Sequence, residues 1–203
     1  MKVENFDKIM QKTISDLQSK GLKPTLLLHS CCAPCSTACL ERLTDFFDVT
    51  VFYYNPNLDT AKEFQLRANE QVRLCEQLKL KCIVEPYNHQ EFLDGSRGLE
   101  YAVEGGARCV KCFELRLKKT ADVAKEKGFD YFTTTLSVSP LKNAKLLNAI
   151  GEGIESKIGV KFLRADFKKR NGYFRSTQLS RDFGLYRQNY CGCEFSKNSL
   201  PNE

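Results

Sequence analysis

Short segments of strand character alternate with longer segments of helical character, and this alternation constrains the fold more than any other feature of the sequence. The predicted strands are apolar, β-branched or aromatic runs at residues 25–29, 49–54, 82–84, 131–136 and 160–163. The predicted helices carry apolar residues at helical spacing and occupy residues 6–20, 34–46, 60–80, 110–127 and 143–157. The alternation predicts an α/β fold with a mainly parallel, Rossmann-like sheet of about five strands and helices on both faces.

The 203 residues fit a single domain, in which we distinguish three parts. Residues 1–22 form a predicted N-terminal amphipathic helix, residues 23–165 the α/β domain that carries the metal site, and residues 166–203 a basic and aromatic C-terminal extension. The longest uninterrupted apolar runs are much shorter than a bilayer-spanning helix. The N-terminus also lacks the apolar stretch of a secretory signal, so the sequence predicts a cytoplasmic protein without a membrane partner.

Ten cysteines are present, and seven of them fall into three tight clusters. In a chain without a secretory signal, clustered cysteines are more often metal ligands or redox groups than structural disulfides. The clusters are Cys31, Cys32 and Cys35, then Cys109 and Cys112, then Cys191 and Cys193. The remaining cysteines lie among apolar residues and are predicted to belong to the core: Cys39, Cys75 and Cys82.

Two sulfur atoms from each of the first two clusters would suit a zinc ion or an iron–sulfur cluster. Cys109 and Cys112 are three residues apart at the start of a predicted helix, so both side chains lie on one side of its first turn. A helix N-terminus favours the thiolate, which is the form that binds a metal. Cys35 then remains nearby as a fifth thiol, which a closed four-sulfur zinc site does not need.

Cys191 and Cys193, within the predicted extension, are separated by one glycine. A disulfide between them would close a very small ring, and small strained disulfides are easily reduced. The spacing therefore favours a redox-active pair. The alternatives are a free thiol pair or two further metal ligands.

Unusual turn residues follow three of the predicted strands: the first cysteine cluster, Asn55-Pro56-Asn57 and residues 137–140. Ligands of open α/β sheets bind beyond the carboxyl ends of the strands, so these turns predict one functional edge of the sheet. His29, at the end of the first predicted strand, either serves this site or has a hydrogen-bonded structural role.

The excess positive charge lies in one C-terminal stretch. Residues 161–190 contain eight Lys and Arg side chains against two Asp, and the net charge of the whole chain is +6. Aromatic residues interleave with these cations, a combination that suits phosphate contact and base stacking in single-stranded RNA. A solvated basic face whose aromatic side chains turn into the core would have the same pattern.

Five motifs, taken in order, resemble those of the epoxyqueuosine reductase QueH family, formerly a domain of unknown function. They are HSCCAPC at 29–35, YNPN at 54–57, EGGARCVKC at 104–112, TTLSVSP at 134–140 and GLYRQNYCGC at 184–193, and the resemblance covers residues 24–196. It implies cobalamin-independent reduction of the epoxide of epoxyqueuosine, at the wobble position of tRNA, to the cyclopentene of queuosine. The partners would be this tRNA and an external electron donor.

The resemblance also implies cofactors and the residues that hold them. A 4Fe–4S cluster maps onto Cys31, Cys32, Cys109 and Cys112, and a redox-active disulfide maps onto Cys191 and Cys193. An additional iron ion would lie beside the cluster, and Cys35, where some members have aspartate, is a possible ligand of this second metal. Candidate contacts to the tRNA are Asn55, Asn57, Arg175, Tyr186 and Arg187.

The epoxide oxygen leaves as water, so a protein group is expected to protonate it. The candidate proton donors are Glu104, Glu70 and Asp166.

Two other functions fit part of the pattern. One is an iron–sulfur tRNA sulfurtransferase on a nucleotide-binding α/β fold, but the turn at residues 30–35 lacks the glycine of a phosphate-cradling turn. The other is a non-catalytic RNA-binding module stapled by zinc, which would be colourless and indifferent to iron depletion.

Overall fold

The computed structural model describes residues 4–188 and 190–197 of the chain. Its strands are β1 (Thr25–Ser30), β2 (Asp48–Tyr53), β3 (Lys81–Val84), β4 (Tyr131–Thr134) and β5 (Lys161–Phe162). They form one sheet in the order β3-β2-β1-β4-β5, and every neighbouring pair is parallel. The predicted α/β fold with a parallel five-stranded sheet is therefore confirmed.

Helices connect and flank the strands. They are α1 (Phe6–Ser19), α2 (Ala33–Leu43), α3 (Ala61–Gln77), α4 (His89–Ser96), α5 (Ala107–Glu126), α6 (Ala144–Ile158), α7 (Gly172–Asp182) and the short α8 (Glu194–Lys197). A 3₁₀ turn, Thr135–Val138, follows β4. Within the described residues, no helix is both long enough and apolar enough to cross a membrane.

The strand order reverses direction between β1 and β4. The chain moves outward from β1 through β2 to β3, and then returns to place β4 on the other side of β1. The carboxyl ends of β1 and β4 therefore flank the topological switch point, which is where open α/β sheets bind their ligands. The turn that carries Cys31 and Cys32 begins directly after β1.

The central strand β1 is buried on both faces because successive side chains point to opposite sides of the sheet. Leu26 and Leu28 pack into a core that includes Met10 of α1 and Leu40 of α2. Leu27 packs into the opposite core, which includes residues of α5 and α6. Cys39 and Cys75 lie in the first core and the half-buried Cys82 packs against it, as predicted.

Several element boundaries differ from the predicted ones for local reasons. The fourth strand ends at Thr134 rather than Leu136, because the Thr134 hydroxyl accepts the Leu136 backbone N–H at 3.1 Å and turns the chain. α5 begins at Ala107 rather than residue 110, because the chain turns at Gly105, whose φ of +84° favours glycine, and Gly106 is the N-cap of the helix. This earlier start places both Cys109 and Cys112 inside the helix.

The C-terminal segment adds no strand to the sheet within the described residues. Instead α7 packs against α2, and buried Phe167 and Leu185 join the core beside it. The stretch is thus partly core and partly surface, since Tyr173, Phe174 and Tyr186 remain exposed.

Two glycines of α6 test how closely this helix packs against β5. A Cβ on Gly151 would lie 2.4 Å from the ring of Phe162 on β5, whereas a Cβ on Gly153 would meet nothing within 4 Å. Because overpacking strains a core, we expect Gly151→Ala to lower the free energy of unfolding by about 1–3 kcal/mol. Gly153→Ala is the matched control and should raise it by about 0.5–1 kcal/mol through helix propensity. Urea denaturation measures both, and equal effects of the two substitutions would contradict the packing.

Candidate metal and redox centre

The turn after β1 gathers the first three cysteines. Cys32 is the N-cap of α2, and Pro34 and Cys35 belong to the first turn of that helix. The Sγ atoms of Cys31, Cys32 and Cys35 all lie within 4.8 Å of one another, and those of Cys31 and Cys32 are 3.8 Å apart. Three sulfur atoms this close could hold a single metal ion.

Thr135, in the 3₁₀ turn after β4, fixes the orientation of Cys31. Its hydroxyl accepts the Cys31 backbone N–H at 3.1 Å and donates to Cys31 Sγ at 3.3 Å. The thiols of Cys32 and Cys35 lower the pKa of Cys31 well below its ordinary value. The turn therefore favours a thiolate at Cys31, which is the protonation state of a metal ligand.

The second cysteine pair lies at the start of α5. Cys109 Sγ accepts the Gly105 backbone N–H at 3.3 Å, and Cys112 is buried one turn further along the helix. Cys31 and Cys109 pack against the same apolar core. Within the described residues neither Cys109 nor Cys112 joins the compact group formed by the first cluster. The predicted sharing of one cluster by Cys31, Cys32, Cys109 and Cys112 therefore stays a prediction.

Arg116 is a buried cation in this sulfur-rich region, and sequence reasoning did not single it out. Its guanidinium donates to Asn55 Oδ1 at 2.5 Å, to His29 Nε2 at 3.3 Å and to Cys112 Sγ at 3.9 Å. No carboxylate of the described chain pairs with it. A buried charge needs a counter-charge, so the guanidinium fits a centre of anionic sulfur. The signal in the sequence was its position four residues after Cys112, on the same face of α5.

His29 has the structural role that the sequence left open. It is fully buried, its Nδ1 lies 2.8 Å from Thr134 Oγ1, and its Nε2 accepts from Arg116. Burial, reinforced by Arg116, lowers the pKa of His29 to about 3. The imidazole is therefore neutral at physiological pH and serves to orient Arg116.

Asn55 has an internal role in the structure, and its predicted contact with tRNA stays a prediction. The side chain is 1% exposed, and its amide donates to the Ser30 carbonyl at 2.9 Å while its oxygen accepts from Arg116. Both ends of the amide are thus used to link β1, β2 and α5. Asn57 is buried as well and lines a small cavity beside Cys109, so its contact with tRNA stays a prediction.

The turn at Cys191-Gly192-Cys193 docks onto the loop after β2 and onto α3. The Gly192 carbonyl accepts the Asp59 backbone N–H at 2.9 Å, and the Cys191 carbonyl accepts from Arg67 Nη1 at 3.3 Å. Arg67, which sequence reasoning also missed, is held in place by an ion pair with Glu63. These contacts bring the C-terminal thiols to the same edge of the sheet as the other two clusters.

The two thiols of this turn have different surroundings. Cys193 is buried beside Phe92 and Cys112, whereas Cys191 is half-buried and lies 3.7 Å from the Lys142 ammonium. The neighbouring Cys193 thiol lowers the pKa of Cys191 well below its ordinary value, and Lys142 and Arg116 act in the same direction. Cys191 is therefore the thiolate of the pair and Cys193 the thiol.

Two adjoining cavities connect the three clusters. The larger, of about 280 Å³, is lined by the first cluster together with Arg116, Tyr173, Arg187 and Gln188. The smaller is lined by Cys109, Cys112 and Cys193. Glu104, Leu141, Lys142 and Cys191 border both cavities. All seven clustered cysteines thus meet at the switch point of the sheet.

The remaining predicted residues lie at different distances from these cavities. Arg187 lines the larger cavity with its guanidinium 5.2 Å from the centre of the Tyr173 ring. Arg175 is exposed and forms a two-point ion pair with Glu41. Tyr186 is half-exposed and its hydroxyl lies 3.4 Å from Glu63.

The three candidate proton donors are also separated by the structure. Glu104 is exposed at the border of both cavities. Glu70 pairs with Arg73, whose hydrogen bonds lower the pKa of Glu70, and the described structure places neither Glu70 nor Asp166 among the cavity-lining residues. Of the three candidates, only Glu104 lines these cavities, and the identity of the proton donor stays a prediction.

The fold and this edge define a class: α/β proteins with a thiol-lined centre at the topological switch point of a parallel sheet. Comparisons with known proteins point to one family. A family model described as "Epoxyqueuosine reductase QueH" matches residues 26–199. The chain is 40% identical over 200 residues to the epoxyqueuosine reductase QueH of Staphylococcus epidermidis, covering 95% of this chain and 84% of that protein. It is 36% identical over 178 residues to that of Thermotoga maritima, covering 85% and 90%.

The chain belongs to the epoxyqueuosine reductase QueH family, and it is an oxidoreductase. The resemblance carried by the five sequence motifs is thereby confirmed. Among solved structures, the chain is similar to the U34-tRNA thiolase NcsA from Methanococcus maripaludis with its [4Fe-4S] cluster. The TM-score is 0.51 at 14% identity, covering 94% of this chain and 68% of the thiolase, so this likeness shows the fold alone.

Gly192 provides a test of how the redox turn is docked. Its φ is +112°, and a Cβ there would lie 2.2 Å from Leu58 Cδ2. Because the added Cβ would push the turn away from Leu58, we expect Gly192→Ala to expose the Cys193 thiol. Alkylation of Cys193 by iodoacetamide in the reduced protein, followed by peptide mass analysis, should become several-fold faster.

The matched control is Gly184→Ala, in the same segment. Gly184 also has a positive φ of +57°, but a Cβ there would meet nothing within 4 Å. This control reproduces the backbone strain without the clash, and its Cys193 should react at the wild-type rate. Equal rates in Gly192→Ala and Gly184→Ala would show that the contact with Leu58 does not hold the turn.

Proposed function

We propose that this chain reduces the epoxide of epoxyqueuosine, at the wobble position of tRNA, to the cyclopentene of queuosine without cobalamin. The observation that carries the proposal is the meeting of all three cysteine clusters at one pair of cavities in a member of this family. The curated relatives are themselves named epoxyqueuosine reductases. An epoxide reductase needs a centre that stores electrons and a group that supplies protons. Cysteine thiols can provide the electron store, as a dithiol pair or as ligands of an iron–sulfur cluster.

The residues present fit an iron–sulfur centre. We assign the 4Fe–4S cluster to Cys31, Cys32, Cys109 and Cys112, and an additional iron ion to a neighbouring position with Cys35 as a possible ligand. The buried Arg116 guanidinium supports this assignment, because it donates toward Cys112 and has no carboxylate partner in the described chain. When bound, such a centre supplies electrons one at a time, and an adjacent iron ion can polarise the epoxide oxygen.

The Cys191–Cys193 pair is the second electron store in this proposal. Conversion of the epoxide to an alkene breaks two C–O bonds and requires two electrons and two protons. Oxidation of the Cys191 thiolate and the Cys193 thiol to a disulfide releases two electrons and one proton. With one further proton from solvent, the sum of the two half-reactions is alkene, water and disulfide. An external electron donor then returns the disulfide to the dithiol, as the family resemblance implies.

The surface around the larger cavity suits an unpaired nucleotide. Arg187 and Tyr173 lie at the cavity with their side chains stacked, and neither side chain forms an ion pair with a carboxylate in the described chain. We assign Arg187 and Tyr186 as tRNA contacts and keep Arg175 and Asn57 as weaker candidates. A wobble base lies in an anticodon loop, so it reaches such a cavity without opening a duplex.

Family membership favours epoxide reduction over both alternatives. A sulfurtransferase on a nucleotide-binding fold would need a phosphate-cradling turn after β1, where this chain has the cysteine turn. A zinc-stapled RNA-binding module would not require the Cys191–Cys193 pair or Lys142 beside it.

The direct test is a single-turnover reaction without oxygen. The protein is purified anaerobically, reduced with dithionite, freed of excess reductant and mixed with an anticodon stem–loop RNA that carries epoxyqueuosine. We expect conversion of the epoxide nucleoside to queuosine, seen as the loss of one oxygen by nucleoside mass analysis. The wild-type protein should also contain iron and acid-labile sulfide.

Cys82→Ser and Cys109→Ser form a matched pair for this reaction, because each removes one sulfur from a half-buried position. Cys82→Ser should retain iron and activity, whereas Cys109→Ser should remain folded and lose both. A colourless wild-type protein with stoichiometric zinc, or unchanged RNA after reaction, would refute the proposed function.

A further inference from the structure

Lys142 places a cation at the border between the two cavities. It lies between the 3₁₀ turn after β4 and the start of α6. Its backbone is held at both ends, since its N–H donates to the Ser139 carbonyl at 3.2 Å and its carbonyl accepts from Lys168 Nζ at 2.7 Å. A short, hydrogen-bonded segment of this kind fixes the origin of the side chain and therefore the direction in which the ammonium reaches.

The side chain points inward, although this stretch of chain is otherwise exposed. Leu141 and Asn143, the residues on either side, are exposed, whereas Lys142 is half-buried and lines both cavities. Its Nζ lies 3.7 Å from Cys191 Sγ. The charged or titratable groups that face it are Cys191, Cys31, Cys35 and the Arg116 guanidinium.

Lys142 has no carboxylate partner within ion-pair distance in the described part of the chain. Lys118 and Lys119, by comparison, form ion pairs with Asp122 and Glu85. A half-buried ammonium without a carboxylate partner is destabilising unless its charge or its protons are used, and this one faces the Cys191 thiolate.

The other candidate for proton donation is less well placed. Glu104 borders both cavities, but its side chain is exposed to solvent. Lys142, in contrast, is half-buried and its Nζ lies 3.7 Å from Cys191 Sγ. Although burial acts against the charge, the neighbouring Cys191 sulfur raises the pKa of Lys142 above its usual value.

We propose that Lys142 is a catalytic residue, whose ammonium donates a proton to the oxygen released from the epoxide beside Cys191. This inference rests on the proposed function. When the first C–O bond breaks, the oxygen becomes an alkoxide that takes one proton from Lys142 Nζ. When the second bond breaks, the alkene forms and the oxygen leaves as water after accepting a second proton from solvent. The two electrons come from the Cys191 thiolate and the Cys193 thiol, which become the disulfide, and the one proton released from Cys193 restores the Lys142 ammonium.

The test compares Lys142→Ala with the wild-type protein in the single-turnover reaction at saturating stem–loop RNA. Loss of a general acid typically slows a reaction by 10²–10⁴-fold, so we expect the rate of epoxide loss to fall by about 10²-fold or more. Iron content and the absorption spectrum should match those of the wild-type protein. Lys157→Ala, which removes an exposed lysine at the far end of α6, is the matched control and should react at the wild-type rate.

Chemical rescue separates proton donation from a merely structural or electrostatic role. Methylammonium ion, which carries protons on nitrogen, should accelerate Lys142→Ala in proportion to its concentration, whereas tetramethylammonium ion should not. Lys142→Met keeps the aliphatic stem and should be as slow as Lys142→Ala, which guards against an effect of lost packing.

Three results would overturn the assignment. They are a Lys142→Met rate within twofold of the wild-type rate, no rescue of Lys142→Ala by methylammonium, or equal rescue by the two ammonium ions. Failure of the wild-type protein to remove the oxygen would instead refute the proposed function, so the two failures are distinguishable.

Discussion

The structure depends on one buried positive charge, the Arg116 guanidinium, placed where the sheet reverses its strand order. The guanidinium is 2% exposed and binds an amide, an imidazole and a sulfur, but no carboxylate of the described chain. A buried cation with neutral partners is stable only where nearby groups carry negative charge. The sulfurs at the end of β1 and the start of α5 can satisfy this requirement when a metal centre holds them in the charged thiolate form.

The same charge organises the polar residues around it. His29 lies on β1 and Asn55 lies just beyond the end of β2, and each uses its other polar atom on a strand, so that Arg116 is fixed relative to β1, β2 and β4. The C-terminal turn packs against this arrangement, because hydrogen bonds from Arg67 and the Asp59 backbone hold Cys191 at the cavities. The centre is therefore assembled from segments far apart in sequence, and a parallel sheet is what brings them to one edge.

The sequence predicted the features that follow from local patterns. Alternating strand and helix patterns predicted the parallel sheet, and the clustered cysteines indicated the edge at which a cofactor would bind. Gly105 and the Thr134 hydroxyl moved element boundaries by only a few residues, because they act through backbone geometry and a single hydrogen bond.

The sequence could not predict contacts between distant side chains. The sequence shows that Asn55 follows a strand, but it does not show that the Asn55 side chain bonds Arg116, which lies 61 positions away in the chain. Lys142 and Arg67 meet Cys191 across 49 and 124 positions, and nothing in the local sequence of either residue marks it. Arg175 belongs to the basic stretch that was expected to bind RNA, but the sequence does not show that its charge is already paired with Glu41.

The central claim, that the Arg116 charge is balanced by a metal-bound sulfur centre, is tested most directly by iron affinity. Iron retained by the anaerobically purified protein is measured against rising chelator concentration for the wild type, Arg116→Lys and Arg116→Met, with folding checked by circular dichroism. Groups that support metal ligands typically contribute about 10–100-fold to affinity, so Arg116→Met should stay folded and bind iron weaker by about that factor, with Arg116→Lys in between. Wild-type iron affinity in Arg116→Met would contradict the account.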